Sequence, residues 1–269
     1  MCTVVLAAHV FAGHPLVVIA NRDEDLDRAS SPPRMWSASG DRARAGEPFI
    51  APRDDVAGGT WLGVNRAGVF VGITNRYLGP KDPARASRGS LVTQALALGS
   101  AREIHDAMAT VPPSRHNGFH LVYADAHDVL VTASNGTHLA QLALGHGIHA
   151  LTERSFGAGD DGRRRARIGA AWSRLAPSSA GGSGSTELDL GRLSQLLTEH
   201  DDADLLAATC IHVPGIRYGT RSGAAIAIAD ERSRPGGMRM LWAEGPPCTT
   251  PFVPVDLAPL NVPDPVKTG

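Results

Sequence analysis

The chain has 269 residues, and its 26 basic and 27 acidic side chains give a formal net charge of −1 at pH 7. This balance creates no field for nucleic acid or an anionic membrane, and no apolar run approaches the roughly 20 residues of a membrane span. With 42% hydrophobic residues, the composition is that of a globular protein long enough for one sizeable core. These values argue against a nucleic-acid-binding, disordered or integral membrane protein.

The amino-terminal 19 residues are apolar but lack the pattern of a signal peptide. No basic residue precedes the apolar stretch, and His9, Gly13, His14 and Pro15 interrupt it. Two strands joined by a turn fit this pattern better. We therefore predict a cytoplasmic protein.

The three cysteines, Cys2, Cys210 and Cys248, lie far apart in the sequence. This spacing indicates neither a disulfide framework nor a zinc motif, so we expect three free thiols and no metal site or cofactor. Cys210 is expected to be a buried apolar thiol and Cys248 a loop thiol.

Short apolar runs bounded by turn residues predict most of the strands. In chain order they cover residues 3–8, 16–20, 60–64, 69–74, 119–124, 129–133, 139–143, 148–151, 210–213, 224–229 and 238–243. Helices are predicted from about residue 87, from Ser100 to the Pro-Pro pair at 112–113, over 163–175 and over 188–197. Ser100 and Glu103 have the spacing of a capping box.

The remaining segments are predicted as turns and loops within a single domain of residues 1–269. Residues 65–68 form a hairpin turn in which Gly68 supplies a positive φ, and residues 25–59 form a long loop region. Residues 177–186 form a flexible loop, and residues 246–269 form a Pro-rich, extended tail. This order of elements predicts an α+β fold with antiparallel strands.

Cys2 is the strongest candidate for chemistry. If Met1 is removed, one residue carries both a thiol and an α-amine, whose pKa near ~7.7–8.0 suits it to accept the thiol proton. A terminal residue that is both nucleophile and base is a known solution for acyl transfer. The alternative is a chain-end residue without a role.

Two polar segments follow predicted strands. In the Asn-Arg-Asp-Glu run at 21–24, Arg22 can lower the pKa of a nearby thiol, and a carboxylate can orient an α-ammonium group. Asn75 follows another strand, where its amide can donate to a developing oxyanion. The alternative for both segments is a solvated turn.

Six segments together resemble the NRDE-motif family, which includes the transport-and-Golgi-organisation homologues. They are Met-Cys-Thr at 1–3, Asn-Arg-Asp-Glu at 21–24, Gly-Gly-Thr-Trp-Leu-Gly at 58–63, Thr-Asn-Arg at 74–76, Asn-Gly-Phe at 117–119 and Tyr-Gly-Thr-Arg at 218–221. The resemblance extends from residue 1 to about residue 245.

The start of the chain is also similar to cysteine N-terminal-nucleophile (Ntn) hydrolases of the choloylglycine hydrolase and penicillin acylase type. That resemblance implies a four-layer αββα sandwich of mainly antiparallel sheets. It also implies that Cys2 is the nucleophile, that Asn21 and Asp23 match an Asn-x-Asp motif beside the α-amine, and that Asn75 completes an oxyanion hole. Arg221 is similar to a late arginine near the pocket.

Two positions depart from the hydrolase pattern. Ala20 stands where those enzymes carry an arginine, and we expect the side chain of Arg22 to point to the opposite face of the strand. Near mid-chain, the hydrolases have Thr-Asn where this chain has Thr152 followed by Glu153. A carboxylate at that position would oppose an oxyanion.

Two functions follow from the resemblances. The first is an Ntn-type cysteine amidohydrolase or acyltransferase that acts on a small amide or thioester through an acyl-Cys2 intermediate. The second is a non-catalytic protein that binds and traffics haem, acyl lipid or acyl-coenzyme A in the same pocket. Neither function involves nucleic acid or integral membrane association, and the sequence gives no oligomeric state.

Overall fold

The computed structural model describes residues 2–36, 46–76, 78–157, 159, 161–176, 188–230 and 237–261. Two antiparallel sheets dominate these ranges. The strands are β1 (Cys2–Phe11), β2 (His14–Asp25), β3 (Ser30–Trp36), β4 (Phe49–Asp54), β5 (Leu62–Asn65), β6 (Phe70–Asn75), β7 (Phe119–Ala124), β8 (Val129–Ser134), β9 (Leu139–Leu144), β10 (Gly147–Leu151), β11 (His212–Val213), β12 (Tyr218–Ile228), β13 (Met238–Ala243) and β14 (Val253–Pro254). The α-helices are α1 (Gly89–Leu96), α2 (Ala101–Ala109), α3 (Gly162–Leu175) and α4 (Leu190–Ser194).

The first sheet has the order β10-β1-β2-β12-β13-β14, with β11 paired to β12. The second sheet has the order β3-β4-β5-β6-β7-β8-β9. Helices α1 and α2 cover the outer face of the second sheet, and α3 and α4 cover the outer face of the first. The chain therefore forms an α+β fold with antiparallel strands, as the order of elements predicts, and its four layers follow the order α, β, β, α that the resemblance implies.

Alternation along β1 explains why the sheet is covered on both sides. Val4 and Leu6 belong to the core between the two sheets. Val5 and Ala7 belong to a second core, formed with Trp172 of α3 and neighbouring apolar residues. A strand that is buried on both faces is apolar at nearly every position, as residues 3–8 are.

Two local predictions are confirmed. Gly68 has φ of +77° in the turn between β5 and β6, a conformation that favours glycine. The Ser100 side chain accepts a hydrogen bond from the Glu103 backbone N–H at the start of α2, and Glu103 accepts one from the Gly99 N–H. Both signals depend only on neighbouring residues.

Two other predictions are wrong. Residues 25–59 are not one loop, because β2 continues to Asp25 and the region also contains β3 and β4. Pro32 and Pro33 fit within β3 because it is the edge strand and its register shifts between Ser31 and Arg34. The helix predicted over 188–197 is shorter, since α4 ends at Ser194 and a 3₁₀ turn follows.

Residues 177–186, predicted as a flexible loop, lie outside the described residues, as does the tail beyond residue 261. No helix in the described ranges is both long and apolar enough to cross a membrane.

Candidate active site

Cys2 is the first residue of β1 and lies at the end of the first sheet where that strand begins. The residue is 9% exposed. It pairs in register with Arg22 of β2, so both side chains lie on the sheet face that packs against the second sheet. Since β6 packs against β1 across this interface, its terminal residue Asn75 approaches the same edge. The hairpin of β1 and β2 thus brings Cys2 to the Asn-Arg-Asp-Glu segment.

A cavity of about 450 Å³ opens at this edge. Four of the residues predicted to form the site line it, namely Cys2, Arg22, Asp23 and Asn75. The other lining residues are Glu24, Arg28, Asp54, Ala57, Thr60, Trp61, Ile73, Lys81, Asp82, Pro83, Arg85, Ala86, Ser87, Arg88, Gly89 and Asn117. Charged and polar side chains dominate this lining.

The Cys2 sulfur is held mainly as a thiol. Burial raises its pKa, and the Asp23 carboxylate adds to that effect. The charged amino terminus, a backbone hydrogen bond from Asp23 and, least of the three, the positive charge of Arg22 act in the opposite direction but do not cancel the shift. Attack by this sulfur therefore requires a base to remove its proton.

Asp23 is 2% exposed and is fixed from two sides. Its Oδ1 accepts a 2.6 Å hydrogen bond from the Thr220 hydroxyl, and its backbone carbonyl accepts one from the Tyr218 hydroxyl at 3.2 Å. Burial raises the pKa of the carboxyl, while the charged amino terminus and the Thr220 hydrogen bond lower it. A cationic amine at the chain start therefore favours the carboxylate form.

Arg22 points into the space between the sheets, so the prediction that it points to the face opposite position 20 is wrong. Residues two apart in a strand share a face, and Ala20 also belongs to the inter-sheet core. The guanidinium carbon lies 3.9 Å from the ring centroid of Trp61, and Nη2 lies 3.5 Å from Asp54 Oδ2. Nη1 is buried and has no hydrogen-bond partner within the described ranges.

The structure places Asn21 and Arg221 away from the cavity lining. Asn21 Nδ2 donates to the backbone carbonyls of Leu197 and Thr209, on the helical side of the first sheet. Arg221 donates to the Leu26 carbonyl and to the Ser30 hydroxyl. Both side chains brace the segments around β2 through these hydrogen bonds.

Glu153 forms a buried ion pair that balances its charge. Its Oε2 lies 3.0 Å from Arg164 Nη1, and the two side chains are only 4% and 3% exposed. Glu153 and Asn75 line a second cavity of about 380 Å³, which shares residues with the first. The carboxylate near the expected oxyanion site therefore has a cationic partner.

Arg88 also lines the cavity, although nothing in the sequence predicted it. It precedes α1, and its Nη1 donates to the Gly118 carbonyl at 3.0 Å. Burial lowers its pKa, while Cys2 and Glu24 raise it, so the guanidinium interacts electrostatically with the Cys2 sulfur. The only indication in the sequence is that Arg88 lies next to the predicted start of a helix at residue 87. An arginine at such a position is also typical of a solvated turn.

Residues 1–235 match the family model for Transport and Golgi organisation 2, so the chain belongs to that family. The Transport and Golgi organization protein 2 homolog of Bos taurus is 29% identical over 142 residues, which are 51% of this chain and 50% of that protein. The chain spans half or less of the length of the curated relatives that it matches.

Solved structures of Ntn hydrolases have the same fold. A variant of conjugated bile acid hydrolase from Clostridium perfringens superposes with a TM-score of 0.57 at 11% identity, covering 98% of this chain and 95% of that one. Penicillin V acylase from Agrobacterium tumefaciens gives a TM-score of 0.50 at 13% identity, covering 96% and 86%. These similarities confirm the predicted αββα Ntn-hydrolase-like sandwich.

Proposed function

We propose that this member of the Transport and Golgi organisation 2 family is a cysteine amidohydrolase of the Ntn type. It cleaves a small acyl amide through a thioester formed on Cys2. The observation that carries the proposal is the position of the Cys2 side chain, on a cavity that Arg22, Asp23 and Asn75 also line. A thiol, a carboxylate and a side-chain amide donor thus line one cavity.

The base in this proposal is the α-amine of Cys2 after removal of Met1. Because burial raises the pKa of the thiol, the sulfur needs a nearby acceptor for its proton. An α-amine, with a pKa of roughly 7.7–8.0, can accept that proton near neutral pH. The Asp23 carboxylate, held by Thr220, would then orient the resulting ammonium group.

The cycle begins when the thiol proton moves to the α-amine and the sulfur attacks the substrate carbonyl carbon. The side-chain amide of Asn75 donates to the oxyanion of the tetrahedral intermediate. The carbon–nitrogen bond then breaks, and the ammonium returns its proton to the leaving nitrogen. Water, deprotonated by the same amine, hydrolyses the thioester and regenerates the Cys2 thiol.

The cavity favours a compact, polar substrate. Its lining includes five basic residues, namely Arg22, Arg28, Lys81, Arg85 and Arg88, and four acidic ones, namely Asp23, Glu24, Asp54 and Asp82, so an amide with a charged group of either sign would find a partner. Arg22 Nη1 is buried without a hydrogen-bond partner in the described part of the chain, so it has a donor to offer if a ligand or a side-chain movement brings an acceptor to it. Transfer of the acyl group to an amine in place of water is the acyltransferase form of the same chemistry.

The proposal is tested with the full chain, purified after native expression, by intact mass and amide hydrolysis. We expect a mass that begins at Cys2, and release of amine from at least one of penicillin V, a glycine-conjugated bile acid or an N-acylethanolamine. Cys2→Ala should abolish release, whereas Arg102→Gln, a change at a 63% exposed arginine paired with Asp128, should not.

Retention of Met1 would overturn the role of the α-amine. Equal binding of these amides by wild type and Cys2→Ala, with no turnover by either, would overturn catalysis and favour the non-catalytic carrier.

A further inference from the structure

A cluster of two cysteines and two histidines lies outside the candidate active site. His200 follows the 3₁₀ turn Gln195–Thr198, and Cys248 lies in the turn after β13. His212 begins β11, and Cys210 lies two residues before it. One potential ligand atom from each residue lies within 4.8 Å of those of all the others. The spacing of the cysteines in the sequence does not indicate this cluster, and the expectation of three free thiols is confirmed.

The spacing within this cluster fits a tetrahedral ion. His212 Nε2 lies 3.2 Å from Cys248 Sγ and 3.6 Å from Cys210 Sγ. With zinc–sulfur bonds of about 2.3 Å and zinc–nitrogen bonds of about 2.0–2.1 Å, tetrahedral geometry places nitrogen and sulfur ligands about 3.5 Å apart. One ion between these atoms would therefore require only small side-chain adjustments.

The orientation of His200 provides a second observation that points to a metal. Its Nδ1 lies 3.1 Å from the backbone carbonyl of Cys210. Donation through Nδ1 leaves the lone pair of Nε2 available, and metal-bound histidines usually make such a bond through their other ring nitrogen. The rings of His200 and His212 have centroids 5.1 Å apart, and both residues are exposed, so an ion can enter from solvent.

We propose that His200, Cys210, His212 and Cys248 bind one Zn²⁺ ion. Two thiolates and two imidazoles in a closed four-ligand set are typical of a structural zinc site rather than a catalytic one. Binding releases the two thiol protons to solvent and requires neutral imidazoles, so affinity falls as the pH decreases.

The segment that carries two of the proposed ligands is hydrogen-bonded to the Asn-Arg-Asp-Glu segment. Ile211, between two of the ligands, donates its N–H to the Thr220 hydroxyl at 2.8 Å, and that hydroxyl donates to Asp23. Thr209, the residue before Cys210, accepts a hydrogen bond from the Asn21 side-chain amide through its backbone carbonyl. Zinc would thus join the carboxyl-terminal turn that carries Cys248 to the strands that support Asp23.

The test is the zinc content of the full-length chain, purified under reducing conditions from cells supplied with zinc. We expect one zinc per chain in the wild type and in Cys2→Ala, and loss of stoichiometric zinc in Cys248→Ser and in His212→Ala. Cobalt(II) titration of the metal-free wild type should give the visible absorption of a tetrahedral thiolate site, which Cys248→Ser should lack.

Three results would overturn the proposal. The first is a wild-type chain without zinc that also fails to develop the cobalt spectrum. The second is zinc retained at full stoichiometry by both ligand variants, which would place the ion elsewhere. The third is a disulfide between Cys210 and Cys248 that is still present after purification under reducing conditions. None of these readouts depends on amide hydrolysis, so the zinc site and the proposed function fail separately.

Discussion

Arg22 stands opposite Cys2 in the pairing of β1 with β2, and its guanidinium carbon lies 3.9 Å from the centroid of the Trp61 ring. The aromatic ring and the Asp54 carboxylate hold the cation on the face that carries the sulfur. This arrangement lets the positive charge of Arg22 favour ionisation of Cys2, beside the larger effects of burial, the amino terminus and Asp23.

Replacing Arg22 should make the Cys2 thiol harder to ionise. Arg22→Gln removes a positive charge that lowers the thiol pKa, so we expect the alkylation midpoint of Cys2 to move to higher pH. Peptide-resolved alkylation over a pH series measures the midpoint for each cysteine separately. The exposed Arg102→Gln substitution is the control, and an unchanged midpoint in Arg22→Gln would contradict this electrostatic role.

Thr220 should stabilise the protein through its two buried hydrogen bonds. It donates to Asp23 and accepts from the Ile211 N–H, so Thr220→Val leaves both groups without this partner. We expect the free energy of unfolding to fall by about 1–3 kcal/mol, measured by urea denaturation. Thr110→Val, at an exposed helix end, should change it far less. Equal losses for the two variants would show that the hydroxyl of Thr220 adds little.

Removing only one partner of the buried Glu153–Arg164 ion pair should lower the free energy of unfolding strongly. Arg164→Met leaves the buried Glu153 carboxylate with only Arg154, a 42% exposed arginine 3.7 Å away, as its cationic partner, and we expect a loss of about 3 kcal/mol in the free energy of unfolding. The double variant Glu153→Gln with Arg164→Met should recover much of that loss. By contrast, Arg217→Met, which breaks an ion pair whose partners are 70% and 62% exposed, should cost under about 1 kcal/mol. Similar costs at both sites would contradict the importance of burial.

His120 should make the fold sensitive to acid. Burial lowers its pKa from 6.5 to about 4, so it stays neutral in the folded chain while the unfolded chain takes up a proton below pH 6.5. Stability from this residue is full above pH 6.5 and is lost as the pH falls toward 4, with a loss of about 2 kcal/mol between pH 8 and pH 5.

Denaturation curves of the wild type and of His120→Asn at both pH values measure this contribution as a difference. Between pH 8 and pH 5, the free energy of unfolding should fall by about 2 kcal/mol less in His120→Asn than in the wild type. His127→Asn, a change at an exposed position, should show the same fall as the wild type. A pH dependence that is identical in His120→Asn and the wild type would assign the acid sensitivity to other groups.

Local chemistry explains which parts of the fold were predictable. Gly68 and Ser100 act through their nearest neighbours, and the doubly buried strand β1 has an unmistakable apolar run. The edge strand β3 was not predicted, because its two prolines indicate a loop. Prolines are tolerated there because β3 pairs only with β4, so they remove no hydrogen bonds from a central strand.

The sequence predicted only the part of the site that the β1–β2 hairpin brings together. The pairing of β1 with β2 follows from adjacent strands and places Cys2 near residues 21–24. By contrast, the closeness of Cys210 to Cys248 and the approach of Arg88 depend on contacts between distant segments. A single sequence carries no pattern for such contacts, because no fixed spacing connects the residues.

The central claim is that Cys2 is the acylated nucleophile, and mapping of a thiol-reactive acyl probe tests it most directly. After brief exposure of the full chain to a low concentration of the probe, we expect acylation on a peptide that begins with Cys2. Acylation should be lost in Cys2→Ala and slowed when a competing amide substrate occupies the cavity. Modification confined to Cys210 or Cys248, with Cys2 unmodified, would contradict the account.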